Sequence, residues 1–478
     1  MTSIRKFFAP TDMTQGSVWK SIVTFTIPML LGNIAQQLYN TVDSIVVSRY
    51  IKDAPEVLAA AANNPDFVKA GDRALSAVGS CGPILNMLLV LFIGISAGAS
   101  IMVAQYFGAK NRKSLSYTIG NCITVTAIAC VLLICIMTPF IRPLLIALNT
   151  PSSTLDWCCD YLTISLIGIA GMAYYNILSG IIRGLGDSFS ALVYLLVATV
   201  LNIFLDIYFV AVLNMEVAGV ALATVIAQCV SSALCLWKLS RMTEFFDFKP
   251  FYLKPVGAYV KRIVKLGLPS GLTQAIFSSA MIIVQSLTNS FGELFIAANV
   301  VIMRVDGFAM MPNFSFGTAL TTYAGQNVGA GRYDRVVKGA KQGTLIAAGT
   351  SALITVIILI FGKGLMGIFS DTAELVNMSY YLMKILAAGY IAMAVTQSLS
   401  GIMRGAGDTL TPMWISLCTS VFARIPLAYG ISYLTRTPEL PHGRYECIHI
   451  SLLITWCLGA VLTTIFYARG KWKTKAIK

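Results

Sequence analysis

The chain has 478 residues, 56% of them hydrophobic and only 12% charged, with a mean hydropathy of +0.75. A soluble globular chain carries about a quarter charged residues, so that class is excluded. The formal net charge of +14 does not mark a nucleic-acid partner either, because the basic residues alternate by side of a membrane instead of forming one patch.

Apolar runs long enough to cross a bilayer, about 20 residues each, recur along the whole length. They fall at 22–48, 75–104, 117–140, 160–182, 189–213, 217–240, 263–291, 296–324, 342–368, 379–402, 410–434 and 449–468. Runs of this length, rich in Gly and Pro, read as helices that satisfy their own backbone and not as barrel strands. The expected fold is an all-α polytopic membrane protein with twelve transmembrane helices. Of the 35 Lys and Arg, 24 fall on the side of both termini and 8 on the other. Both termini are therefore expected in the cytoplasm and the chain in the plasma (inner) membrane. The polar start, MTSIRKFFAPTDMTQGSVWK, is not expected to be a cleaved secretory segment.

In chain order, the first span carries Pro28 and then Asn33, Gln36, Asn40 and Asp43, whose steps of three, four and three place them along one helical face. The polar stretch 52–73 is an external loop of unusual length. Asn202 and Asp206 of the fifth span stand one turn apart. The seventh span carries Pro269, and Gln274, Ser278, Gln285 and Asn289 again share a face. Charges follow at Arg304 and Asp306, Lys384 and Arg424, which are expected to neutralise one another. The two prolines each remove a backbone donor and read as bends or as tolerated membrane prolines. The two polar stripes read as the lining of a watery cavity or as interhelical hydrogen bonding. An ionised carboxylate at mid-membrane costs about 2.5–3.5 kcal/mol on insertion scales, so Asp43, Asp206 and Asp306 each need a partner or a purpose. Eleven cysteines lie mostly inside apolar runs as small hydrophobes. His442 and His449 sit in or beside the last external loop without forming a cluster. No metal set, nucleophile–base signature or nucleotide loop is present, and neither a cofactor nor an enzymatic activity is expected.

The chain repeats itself. SGIIRGLGD (179–187) returns as SGIMRGAGD (400–408), and QYFGA (105–109) as QNVGA (326–330), both at an offset of 221. Six spans per half enter the membrane in the same sense, so two six-helix lobes related by a pseudo-two-fold axis along the membrane normal are expected, with a cavity between them. The division is 1–240 for the first lobe, 241–262 for a cytoplasmic connector and 263–478 for the second lobe. The Arg183–Asp187 and Arg404–Asp408 loops read as cytoplasmic turns whose charges cap helices or fix orientation. At the repeat offset Asn202 and Asp206 become Ala423 and Leu427, and at an offset of 241 Asp43 becomes Val284. Duplication kept the frame without these carboxylates, which points to function in the first half.

The repeated Arg-Gly-x-Gly-Asp loops, the Gln-x-x-Gly-Ala segments, NTVDSI at 40–45, MRVDGF at 303–308 and ArgIlePro at 424–426 together resemble the multidrug and toxic compound extrusion (MATE) family over essentially the whole chain. The resemblance implies a secondary antiporter of two six-helix lobes that expels amphiphilic, often cationic compounds by alternating access and takes in Na⁺ or H⁺. It also implies a first-lobe cation site of Asp43, Asn202, Asp206 and Thr224, with Tyr161 the match to a tyrosine that contributes in some members. Acids that other members carry in the second lobe correspond here to Phe277 and Ala394. Asn33, Gln36, Asn40, Gln274, Ser278 and Gln285 are the candidate cavity residues. The expected partners are amphiphilic small molecules and the bilayer, with the chain a monomer. The competing reading is a flippase for a lipid-linked precursor or polysaccharide unit, which a strongly basic central cavity would favour.

Overall fold

The structure is a computed structural model that describes residues 10–51, 69–148, 150–370 and 372–477. Most of the stretch 52–73 lies outside the described residues. Its end does not: Ala70–Arg73 already form the first turn of a helix.

Sixteen α-helices run through the described residues: α1 (Val18–Tyr50), α2 (Ala70–Gly108), α3 (Arg112–Met137), α4 (Ile141–Ala147), α5 (Ser152–Ile167), α6 (Ile169–Gly184), α7 (Ser188–Asp206), α8 (Glu216–Arg241), α9 (Gly257–Asn289), α10 (Glu293–Gly329), α11 (Tyr333–Gly367), α12 (Ala373–Ala387), α13 (Gly389–Gly405), α14 (Leu410–Leu417), α15 (Arg424–Leu434) and α16 (Cys447–Ala468). Ten spans are continuous helical stretches; α5 with α6 and α12 with α13 supply two more, bent by 48° and 46°. The twelve expected spans are thus present in a multi-pass membrane protein. A π-helical turn at 207–212 continues α7, and another at 418–423 joins α14 to α15. Pro28 lies inside an unbroken α1, and Pro269 inside an unbroken α9.

The first helix of each half leans onto the other half. Ile22 and Phe25 of α1, with Met13 before it, pack among Phe316, Leu320 and Tyr323 of α10. Val46 and Val47, at the far end of α1, pack instead with Val210, Val217 and Val220 of the first half. The pattern repeats in α9: Ile263 and Leu266 join the first-half core, whereas Val284 and Leu287 join the second. Division of the sequence at 241–262 therefore does not coincide with division of the packing. In the connector, Arg112 Nη2 holds Asp247 Oδ1 at 2.7 Å, and its Nη1 donates to the Glu244 carbonyl at 2.8 Å.

At the end that carries both termini the halves cross. A Cβ at Gly108 would strike the carbonyl of Gln326, and one at Gly329 the carbonyl of Gln105, so only glycine lets α2 and α10 approach this closely. The two glutamines cross-link the halves at equivalent points: Gln105 Nε2 donates to Gly405 O (2.7 Å) and Gln326 Nε2 to Gly184 O (3.2 Å). Each amide oxygen accepts from a terminal segment, Gln105 Oε1 from Ile477 N (2.8 Å) and Gln326 Oε1 from Met13 N (2.9 Å). Buried amides bonded on both sides make this end a dry seal.

Candidate functional site

α1, α7 and α8 bring one group of oxygens together in the first half. Asn202 and Asp206, one turn apart on α7, are fully buried, and Thr224 of α8 is nearly so. With its amide turned to suit both neighbours, Asn202 Nδ2 donates to Asp43 Oδ1 at 2.8 Å and to Asp206 Oδ2 at 3.1 Å. Two carboxylates bonded to one nitrogen lie within about 6 Å of each other, where like charges at an effective dielectric near 20 repel by about 3 kcal/mol. Tyr39 and Thr224 lie within reach of Asp43. Yet Tyr39 Oη, Asp206 Oδ1 and Thr224 Oγ1 are buried without a hydrogen-bond partner. Tyr161 of α5 approaches the same two carboxylates. Unsatisfied buried oxygens are costly and rare in folded chains, so their convergence marks a place for an additional bonded species. An all-oxygen set with two carboxylates fits a hard monovalent cation or a proton.

Sequence reasoning missed Tyr39, which reads as one more core aromatic. Its signal was a spacing of four residues before Asp43, one turn along the same face.

The second half holds no such nest at the equivalent points. Val284 is buried in the apolar core, and Phe277 lines a cavity. The second-half charges do not form one network. Arg304 and Lys384 are exposed, and Lys384 Nζ stands over the ring of Tyr380 at 4.9 Å. Asp306 accepts from Tyr390 Oη at 2.9 Å and has Arg424 as its neighbouring charge. His449, expected in or beside a loop, is buried in the first turn of α16 with its Nδ1 unpartnered.

Two adjoining cavities are present: the larger lies between the halves, and the smaller is lined entirely by second-half residues. The larger, about 420 Å³, is walled by α2, α6, α9, α10, α13 and the helices that follow; the smaller is about 200 Å³. They share Phe277, Phe314, Arg424, Leu452 and Trp456. Gln274 lines the larger and Gln285 the smaller, whereas Asn33, Gln36, Asn40 and Ser278 line neither. Asn33 Nδ2 instead donates to Ser315 Oγ of α10 at 2.9 Å, a bond between the halves.

The Arg-Gly-x-Gly-Asp loops divide their roles. Gly186 and Gly407, at φ of 93° and 97°, make the turns. Asp187 caps α7 through Ser190 N at 2.8 Å, and Asp408 accepts from Thr411 N at 3.3 Å. The arginines are not part of those turns: Arg183 and Arg404 line the larger cavity, as does Arg424, and no Asp or Glu does. The expectation that these loops carry only capping and orienting charges is corrected, because the last helical turn before each loop points its arginine inward.

The MatE family model matches residues 67–208 and 269–430, well over half of the chain. A probable multidrug resistance protein of Bacillus subtilis, YoeA, is 27% identical over 96% of both chains. A probable multidrug resistance protein NorM of Thermotoga maritima is 24% identical over 96% of this chain and 94% of its own. Among solved structures, a MATE in complex with MaL6 superposes with a TM-score of 0.85 at 22% identity, covering 97% of this chain and 98% of that one. Family match, relatives and fold agree: the chain belongs to the MatE family of membrane transporters.

Proposed function

We propose that the protein is a secondary antiporter that exports amphiphilic compounds and takes in Na⁺ or H⁺ through the first-half oxygen nest. The relatives' names, both multidrug resistance proteins, support export. The observation that carries the coupling is the convergence of Asp43, Asp206, Thr224 and Tyr39 with three buried oxygens unpartnered. A cation or proton there relieves the repulsion between the carboxylates and satisfies those oxygens.

The lever is α1. It carries Asp43 in its outer part, packed on the first half, while Ile22 and Phe25 are anchored in the second. A shift of Asp43 on filling is thereby passed to the relation between the halves, with Pro28 lying between the two anchor points as the weak point of the helix. Filling favours one arrangement only if the ion binds the two states unequally, which a site built from several helices provides. The glutamine seal must then part on one side, as alternating access requires.

The test is efflux of a fluorescent amphiphile from proteoliposomes under imposed Na⁺ and pH gradients, applied separately. Acceleration by one gradient is expected, and efflux indifferent to both would overturn antiport. The flippase reading gains one specific observation, the three arginines of the larger cavity, which also bear on the charge of the cargo.

A further inference from the structure

Arg183 of α6 and Arg404 of α13 are equivalent residues of the two halves, and both reach the larger cavity. Among the described residues no carboxylate acts on either guanidinium. The acids nearest in sequence are engaged elsewhere. Asp187 is held by Ser190 and by Lys238 Nζ at 3.2 Å. Asp408 is held by the backbone and hydroxyl of Thr411. Arg424 has a buried Nε without a partner, and its neighbour Asp306 already accepts from Tyr390. A guanidinium with no carboxylate partner within a membrane span marks a pathway or a binding site.

Position adds to charge. Arg183 and Arg404 each sit one residue before the glycine carbonyl, Gly184 or Gly405, that accepts from a sealing glutamine. They therefore form the floor of the cavity immediately above the seal. Phe277, Phe314 and Trp456 line the part shared with the smaller cavity. Guanidinium forks match the planar or tetrahedral oxygens of carboxylate, phosphate and sulfonate in a two-point grip. A cationic cargo finds no carboxylate in the lining of the larger cavity; Asp306 lines only the smaller one, where it accepts from Tyr390.

We propose that the larger cavity binds amphiphiles through an oxyanionic head group, gripped by Arg183 and Arg404, with the apolar body against Phe277, Phe314 and Trp456. This deepens the export reading by assigning the cargo a negative charge. Both arginines stand on the far side of the seal from the termini, so a solute entering when that end opens meets them first.

The test uses the full chain in phosphatidylcholine nanodiscs without any gradient, and two probes with the same ring: 1-naphthyl phosphate and 1-naphthylmethylammonium. The phosphate is expected to bind about tenfold or more tighter, the scale of one charge-assisted pair. Arg183→Gln and Arg404→Gln should each lose most of that preference, with Arg→Lys at either site intermediate. Equal or tighter binding of the ammonium probe would overturn the proposal. So would unchanged phosphate binding by the double Gln variant with a wild-type chromatographic profile and melting curve. Competition by hexyl phosphate or by dihexanoyl phosphatidic acid distinguishes a soluble anion from a lipid head group, and failure of both to compete would also overturn it. Because binding is read without transport, intact phosphate binding in a protein whose efflux ignores Na⁺ and pH gradients would refute the exchange reading and leave this one standing.

Discussion

Replacing Gln326 with Ala removes two buried bonds that cross between chain segments far apart: Nε2 to Gly184 O at 3.2 Å and Met13 N to Oε1 at 2.9 Å. A typical intramolecular hydrogen bond contributes about 0.5–1.5 kcal/mol net, so the pair contributes about 1–3 kcal/mol to the closed end. That is a factor of about 5–150 in the population open at that end. Hydrogen exchange read by mass spectrometry on nanodisc-embedded protein follows it without labels. The bond from Ile477 N to Gln105 Oε1, on the other side of the crossing, is untouched by the substitution. If both glutamines belong to one seal, peptides containing Met13 and Ile477 should speed up together, by about the same factor. Faster exchange confined to the Met13 segment, with Ile477 unchanged, would refute a single seal and reduce the glutamines to local tethers.

Other consequences follow from the same contacts. Gly108→Val and Gly329→Val each drive a side chain into the opposing backbone, and each should cost about 1–3 kcal/mol or more, seen as a lower midpoint in detergent melting. Lys238→Met removes the counter-charge of the buried Asp187 carboxylate and leaves it the two Ser190 bonds at the start of α7. It should destabilise by about 3 kcal/mol, the low end for a broken buried pair, with Asp187→Asn in the same chain recovering part of the loss. In the connector, the hydrogen bond from Arg112 holds the Asp247 carboxyl below its ordinary value of 3.8. Its contribution is present above that value and is lost as pH falls through the lowered one. The protection of residues 243–256, read as exchange relative to the intrinsic rate at each pH, should therefore be flat at neutral pH and fall only in strong acid, and Asp247→Asn should remove the step.

The spans were legible because about 20 apolar residues in a row have few alternatives to a membrane helix. Their ends were not. The run 75–104 became a helix over Ala70–Gly108, since residues outside the hydrocarbon can continue a helix without being apolar. The bends between α5 and α6 and between α12 and α13 have no proline to announce them. The lean of α1 and α9 was likewise invisible, because periodicity says that a face is buried without saying against what. Asp43, Asn202 and Asp206 stood out as charge and amide in oil, and α1 and α7 bring them together. Tyr39 was hidden by its apolar ring. Arg183 and Arg404 were misread because a motif rich in glycine and aspartate looks like a turn, and the arginine one residue earlier belongs to the helix.

The most direct trial of ion coupling is transport by Asp43→Asn and Asp206→Asn proteins in sealed vesicles, each compared with wild type under the gradient that drives it. If the nest is where the ion exchanges, both proteins should still bind the naphthyl probes while gradient-driven efflux falls to the passive leak. Should either neutralised protein export its cargo at the full coupled rate, the nest is a structural accident and the coupling ion binds elsewhere.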